Sequence, residues 1–417
     1  MKPIAVSAYT LVSALGSGRA ATLAALRASR TGLARRDFET AALGSWIGVV
    51  DAVDDAPLGG GLAGGLAGGT AGGLAGGLAG GLSGELAAWD CRNNRLAALG
   101  LVADGFAASV QEAASRHGPR RIGVFVGTST SGILQTELAY RRRAPDGALP
   151  ASLDYEKTHD TASLARFVRR ALGLAGPAFT VSTACSSSAK VFADAARYIE
   201  AGLIDAAVVG GVDSLCLTTL YGFRSLELVS SDICRPWDVA RAGLSLGEAG
   251  AFALLEARPR AMHALLLGCG ESSDGHHMSA PHPEGAGAVL AMREALASAG
   301  LAPEGVDYLN LHGTATPGND AAEDRAVRAV FGERIACSST KGFTGHTLGA
   351  AGAVEAAISM LALEHRLLPA NLNLRERDPA LGLAPLRAPE SRAIRVAASN
   401  SFGFGGSNAC LVFGAAR

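Results

Sequence analysis

The chain has 417 residues, 48% of them hydrophobic, enough to bury a large core and to make two or three domain-sized units. Its 37 Lys and Arg nearly balance 38 Asp and Glu, so a net charge of -1 gives no bulk attraction to nucleic acid and favours small molecules or modest protein partners. Seven scattered cysteines without a C-x-x-C pair argue against a disulfide framework or a zinc finger and for a reducing, cytoplasmic setting.

The N-terminal MKPIAVSAYTLVSALGSG holds one Lys and a short apolar run. Pro3 and the interspersed Ser and Thr argue for a buried first strand with a Gly turn, not a signal peptide. SWIGVVDAV reads as a further strand. Residues 59–84, GGGLAGGLAGGTAGGLAGGLAGGLSG, carry no charge and are long enough to span a membrane. More than half of them are Gly, however, and each Gly costs ~1 kcal/mol relative to Ala in a helix. A flexible surface loop within the first domain is expected there, with no membrane span. DCRNNRLAALGLVADGFAASV, after it, reads as a helix.

Apolar strands then alternate with helical runs. RIGVFVGTS (121–129), AFTVSTAC (178–185), AAVVGGVD (206–213) and GAFALLEA (250–257) are predicted strands, and AKVFADAARYIEAG is a helix with Gly202 as its C-cap. Beyond residue 257 come HALLLGCGES, a helix around 286–299, VDYLNLHGT, a helix around 320–330, GAAGAVEAAISMLAL and a final IRVAASNSFGFGGSNACLVF. The pattern predicts layered α/β architecture, and a polar cluster at a strand end in each part suggests duplication, with halves at 1–257 and 258–417.

Four clusters carry chemistry. TACSSSAK places Cys185 where a β-branched run meets a helix start, a position whose free N–H groups favour thiolate. Free cysteine is otherwise a buried residue type, and Cys216, Cys234, Cys269, Cys337 and Cys410 are read that way. NLHGTATPGND brings His312 to a Gly turn before Thr314 and Thr316. STKGFTGHTLGAAGAVEA sets Lys341 five residues before His346. NSFGFGGSN spans residues 400–408, with three closely spaced glycines that let backbone N–H groups face a site. Each cluster alone is weak. Together a thiolate, two imidazole donors, a lysine and a glycine loop make an acyl-transfer site with an oxyanion hole.

On TACSSS, HGTAT, KGFTGH and NSFGFGGSN in that order, the chain resembles the β-ketoacyl-acyl carrier protein synthases, the elongating condensing enzymes. The resemblance runs almost end to end and leaves only the Gly-rich loop without a counterpart. It implies a thiolase-like layered αβαβα fold of two similar halves, usually dimeric, with no cofactor, its substrates arriving on the phosphopantetheine of an acyl carrier protein. It also implies roles: Cys185 as the acyl-accepting nucleophile, His312 and His346 as donors to the malonyl thioester, and Lys341 with Glu355 as a supporting ion pair. Cys185 and Phe404 would supply the oxyanion-hole N–H groups, with Phe404 as gate beside Phe402 and Asp274 as its mobile-loop acid. Thr314 and Thr316 would hydrogen-bond pantetheine.

Three positions depart from the family pattern. Asn319 stands where Gly is common and tolerates positive φ better than other residues with a side chain. Ala249 replaces a usual Gly. Thr130 falls where fatty-acid enzymes often carry an apolar residue at the end of the acyl pocket. The runs GTSTSGI, GESSDGHHMSAPHPEG and LHGTATPGND are similar to ketosynthases of aryl-polyene and xanthomonadin-type pathways.

A thiolase would carry a second reactive cysteine in its late loop, where this chain has Phe402, Phe404, Ser407 and Asn408. His276, His277 and His282 form a weak metal-site candidate. Chain-length factors, the non-catalytic partners of some ketosynthases, lack the cysteine this chain keeps, so the chain is expected as the active subunit of a homodimer or of a heterodimer with such a factor. Arg92 and Arg95, or Arg141 to Arg143, are candidate landing patches for an acidic carrier protein.

Overall fold

A computed structural model describes residues 1–56, 58 and 86–416. The expected loop at 59–84 therefore lies outside the described residues.

Ten strands form one continuous path: β1 (Ile4–Ser13), β2 (Ile122–Gly127), β3 (Ala178–Val181), β4 (Ala206–Asp213), β5 (Ala249–Glu256), β6 (Ala264–Ser273), β7 (Tyr308–Leu311), β8 (Cys337–Ser339), β9 (Val396–Gly403) and β10 (Ser407–Ala415). Their order is β8-β7-β9-β10-β6-β1-β5-β4-β2-β3. Counted outward from the middle, β1-β5-β4-β2-β3 and β6-β10-β9-β7-β8 are the same order. The directions repeat too: β1 with β5 and β6 with β10 are antiparallel, whereas β2 is parallel to β3 and β4, as β7 is to β8 and β9. The two sets meet only where Ile4, Ala5 and Val6 pair with Leu266, Leu265 and Ala264.

The helices that matter here are α1 (Arg92–Val102), α2 (Phe106–His117), α3 (Ala162–Ala171), α4 (Ser187–Glu200), α5 (Ala286–Ala299), α6 (Pro317–Phe331) and α7 (Ala351–His365). α1, α2 and α3 cover the outer face of the first set, and α5 with α6 covers the second. α4 and α7 touch strands of both sets and each other, so they form the central layer. α7 is buried through thirteen consecutive residues, Ala351 to Leu363, and its small apolar side chains let both sheets close on it. The result is the layered αβαβα arrangement.

The run read as one helix at 90–110 is two. Asp104 and Gly105 both adopt positive φ, 56° and 71°, and break it. The Asp104 carboxylate explains the break, because it accepts bonds from Thr10 Oγ1 and the Arg19 N–H instead of facing solvent. Gly202 closes α4 as expected, at φ 69° with its N–H on Ile199 O. No described helix is long and apolar enough to cross a membrane.

Candidate active site

Cys185 lies between β3 and α4 on a tight elbow. Ala184, just before it, has φ 54°, a strained value for a residue with a side chain. The serines that follow hold the elbow. Ser187 Oγ accepts the Thr183 N–H at 2.9 Å and donates to Ala184 O, while Ser186 Oγ donates to Thr183 O at 2.9 Å. Ser188 Oγ accepts the Ala353 N–H at 2.9 Å and so ties α4 to α7 of the other half.

The second half delivers the imidazoles. His346 Nε2 stands 3.0 Å from Cys185 Sγ, and the His312 ring meets the His346 ring edge-on at 5.4 Å between centroids. The Leu348 N–H points at His346 Nδ1 at 3.3 Å, and Lys341 Nζ lies 3.3 Å from His312 Nδ1. A nitrogen that faces a donor must accept, so the proton of each ring sits on Nε2. Burial and the Lys341 charge hold both imidazoles well below the usual histidine range, which keeps them neutral.

Lys341 is itself buried and donates to Glu355 and to His312 O. Burial raises the Glu355 carboxyl to about 7, against the pull of Lys341. The His312 turn is fixed from behind by Glu323 on α6, which accepts the His312 and Gly313 N–H groups at 2.7 and 2.8 Å. Sequence reading missed Glu323; its signal was a charged residue on a helix side that faces the core.

For Cys185 the structure modifies the expectation of a free thiolate. Burial pushes the thiol up to about 12, opposed first by Lys341 and then by a hydrogen bond from the Phe404 N–H. The α4 N-terminus also opposes it. The closed site thus stores a protonated thiol with its stabilising groups already in place. Gly403 makes the Phe404 approach possible: a Cβ there would lie 2.7 Å from Thr183 O and 3.2 Å from Cys185 N.

A cavity of about 190 Å³ opens over these groups, with Cys185, His312 and His346 in its lining. Thr314, Thr316, Phe402, Phe404 and Asp274 line it as well, and the two threonine hydroxyls are 2.9 Å apart. Phe404 leans on Phe223 at 5.4 Å between ring centres. Asp274 accepts Asn408 Nδ2 at 2.8 Å and the His282 N–H at 2.9 Å, and donates its own N–H to Gly406 O, so it staples the 274–285 segment to the glycine loop. The ligand atoms of Cys185, His312 and His346 all lie within 4.8 Å of one another, a spacing that one soft divalent cation could engage.

Comparison with known proteins agrees with this geometry. The β-ketoacyl synthase N-terminal domain model matches residues 100–261 and the C-terminal domain model matches residues 263–375. The chain belongs to the β-ketoacyl synthase family. A mitochondrial 3-oxoacyl-[acyl-carrier-protein] synthase of Arabidopsis thaliana is 42% identical over 58% of this chain, which spans 57% of that protein. Nodulation protein E of Rhizobium meliloti (strain 1021) is 38% identical over 70% of this chain and 75% of its own. Among solved structures, the ketosynthase ApeO in complex with its chain length factor ApeC from Xenorhabdus doucetiae is 36% identical. It covers 99% of this chain and 98% of its own, at a TM-score of 0.84.

Within this β-ketoacyl synthase the remaining positions fall apart from the cavity or change meaning. Thr130 is buried with its hydroxyl on Asp213 Oδ1 at 2.8 Å, outside the cavity lining. Asn319 lines the cavity but sits inside α6 and is not among the positive-φ residues, so its tolerance of that conformation is not used. Ala249 opens β5, fully buried. Arg92 is no landing residue: it grips buried Glu248 through two hydrogen bonds of 2.8 and 2.6 Å and also reaches Asp54. Arg95 is paired with Asp90 at 2.6 Å, and Arg141 reaches Glu39 at 3.6 Å; Arg142 and Arg143 are exposed. His276 and His282 meet edge-on at 5.2 Å between ring centres, while the Nδ1 atoms of His277 and His282 accept nearby backbone N–H groups.

Proposed function

We propose that the chain is a β-ketoacyl-acyl carrier protein synthase that joins a malonyl unit to an acyl chain held on Cys185. The carrying observation is the 3.0 Å approach of His346 Nε2 to Cys185 Sγ beside a second neutral Nε2–H donor on His312.

In this reading the Cys185 sulfur attacks the acyl thioester, the Phe404 and Cys185 N–H groups receive the oxyanion, and the thiol proton leaves with the pantetheine sulfur. Malonyl thioester then enters over Thr314 and Thr316. Its carbonyl oxygen accepts from His312 and His346, and the C–C bond electrons left by departing carbon dioxide form the enolate. The enolate carbon attacks acyl-Cys185, and the sulfur leaves to close the cycle. Neutral donors suit this step because charge develops on the thioester oxygen, and losing one such donor costs ~3 kcal/mol. Lys341 keeps His312 Nδ1 unprotonated, and Glu355 balances the lysine charge. Phe404, against Phe223, covers the thiol until the loop moves. No cofactor takes part beyond the carrier-borne phosphopantetheine.

The ApeO likeness over nearly the whole chain supports an aryl-polyene-type substrate and a chain-length-factor partner. β3 is an outer strand with Phe179 46% exposed, a surface suited to side-by-side pairing with a second subunit. The halves divide near 257, the setting is cytoplasmic, and Arg142 and Arg143 remain as the carrier-docking candidates. The test is intact-protein mass spectrometry of wild type and Cys185→Ala mixed with saturated and aryl-enoyl carrier proteins. An acyl mass on wild type alone supports the reading, and its chain type identifies the pathway. Acylation of the alanine variant would overturn it.

A further inference from the structure

β4 is buried along its whole length and ends in a carboxylate, Asp213, that pairs with no Lys or Arg among the described residues. Asp213 collects neutral donors instead. Oδ1 accepts Thr128 Oγ1 at 2.6 Å, the Thr130 N–H at 2.8 Å and Thr130 Oγ1 at 2.8 Å. Both oxygens share the Ser129 N–H at 2.9 Å, and Oδ2 accepts the Gly349 N–H at 2.5 Å.

Two short chains of bonds leave this hub. Ser129 Oγ donates to the carbonyl of Ala184, the strained residue before Cys185, at 3.3 Å. Gly349 follows Leu348, whose N–H faces His346 Nδ1. The fit is close, since a Cβ on Gly349 would lie 2.7 Å from Asp213 Oδ2 and 2.8 Å from Ser129 N. Asp213 is outside the cavity lining and touches no reacting atom.

We propose that Asp213 is a positioning residue that clamps the nucleophile turn of the first half to the histidine turn of the second and so sets the Cys185–His346 separation. The role rests on the condensing-enzyme reading. Asn at 213 preserves the volume, but its NH₂ has to face a donor on one side. Three of the bonds to Oδ1 come from the loop after β2, so the amide nitrogen turns to Gly349, and the clamp opens on the histidine side. Loss of the charge also acts on the thiol, because Asp213 is one of the groups that raise Cys185.

Asp213→Asn and the milder Thr130→Val test this by two readouts, malonyl-carrier decarboxylation and the pH profile of Cys185 alkylation by iodoacetamide. With Asp213→Asn, kcat for decarboxylation is expected to fall by about a hundredfold with KM little changed, as for a misplacement near 1 Å. Alkylation of Cys185 shifts to lower pH. Thr130→Val, which removes one bond and no charge, gives a smaller loss of kcat and leaves the alkylation profile in place. Full kcat with an unshifted profile in Asp213→Asn overturns the proposal. So does an Asp213→Asn variant that fails to fold beside a Thr130→Val variant with wild-type kcat. Malonyl decarboxylation needs no acyl donor, so a fall in its kcat upholds the clamp even where wild type condenses no acyl donor tried, an outcome that would sink only the functional reading.

Discussion

The two halves repeat one frame and fill it differently. The turn into the central helix carries Ala184 at φ 54° then Cys185 in the first half, and Leu348 at φ 52° then Gly349 in the second. After the second strand of each set comes Thr128 or His312, and three residues on a positive-φ residue, Ser131 or Ala315. The fourth strands end in Asp213 and Gly403. The frame would thus permit two sites, yet only one cavity holds the reactive groups. The first half contributes the thiol to it, and the second contributes both donors and the oxyanion loop. At the counterpart place a carboxylate fills the space and Gly349 has no side chain. Duplication supplies geometry, and substitution at a few strand ends decides which copy works.

The largest effect therefore belongs to the one reactive group of the first half. Cys185→Ala should abolish acyl-enzyme and condensation, while malonyl decarboxylation, which needs only the donors of the second half, persists; separate assays of carbon dioxide and product check this. Next come His312→Ala and His346→Ala. Each should lower decarboxylation about a hundredfold, the ~3 kcal/mol of one oxyanion donor, yet leave Cys185 able to take up an acyl chain. If either histidine variant lost acylation as fully as decarboxylation, the division of labour between the halves would be wrong.

A pH experiment is smaller in size. Both histidines sit well below the unfolded value of 6.5, so beneath that pH the unfolded chain binds protons that the folded chain does not. Their contribution destabilises the fold as pH falls from 6.5. Burial raises Asp320 to about 6 and Glu323 to about 7, and these carboxyls act in the opposite direction over the same range. A single stability curve mixes the two. The comparison to make is wild type against a His312→Asn, His346→Asn double variant by urea denaturation. Wild type should lose stability relative to the variant as pH falls below 6.5. Parallel curves would mean that the imidazoles are not held neutral.

Cys185, His312 and Phe404 were legible because each stands where an apolar strand gives way to Gly, Ser or Thr, and His346 because it follows Lys341 by five residues at the head of a Gly- and Ala-rich helix, both local signals. The predicted helix at 286–299 matches α5, which is bounded by two glycines at positive φ, Gly285 and Gly300. What escaped was non-local. Arg92 looked like surface charge because its partner, Glu248, is 156 residues away. Asp213 read as the polar end of a strand, since the Gly349 N–H it accepts lies 136 residues on, in the other half. Asp104 broke a helix that its neighbours favoured, for bonds to Thr10 and Arg19 that no window around it contains. Periodicity reports which way a residue faces, and the fold supplies what it meets there.

That contrast among arginines gives the smallest expected effect. Arg92, bound to a buried carboxylate, belongs to the core of the first half. Arg92→Met strands Glu248 without its cation and should lower the melting temperature, with no change in the salt dependence of turnover. Arg142 and Arg143 have no carboxylate partner among the described residues and are exposed, so Arg142→Glu with Arg143→Glu should leave the melting temperature alone. If this face meets an acidic carrier protein, the double reversal raises KM for the carrier substrate by a few-fold, and added salt erases the difference by screening within about 10 Å. A KM that stays put at low salt would remove these two residues from the docking surface and leave Cys185 and the cavity-lining Phe223, Leu228 and Leu244 as what the first half gives to substrate handling.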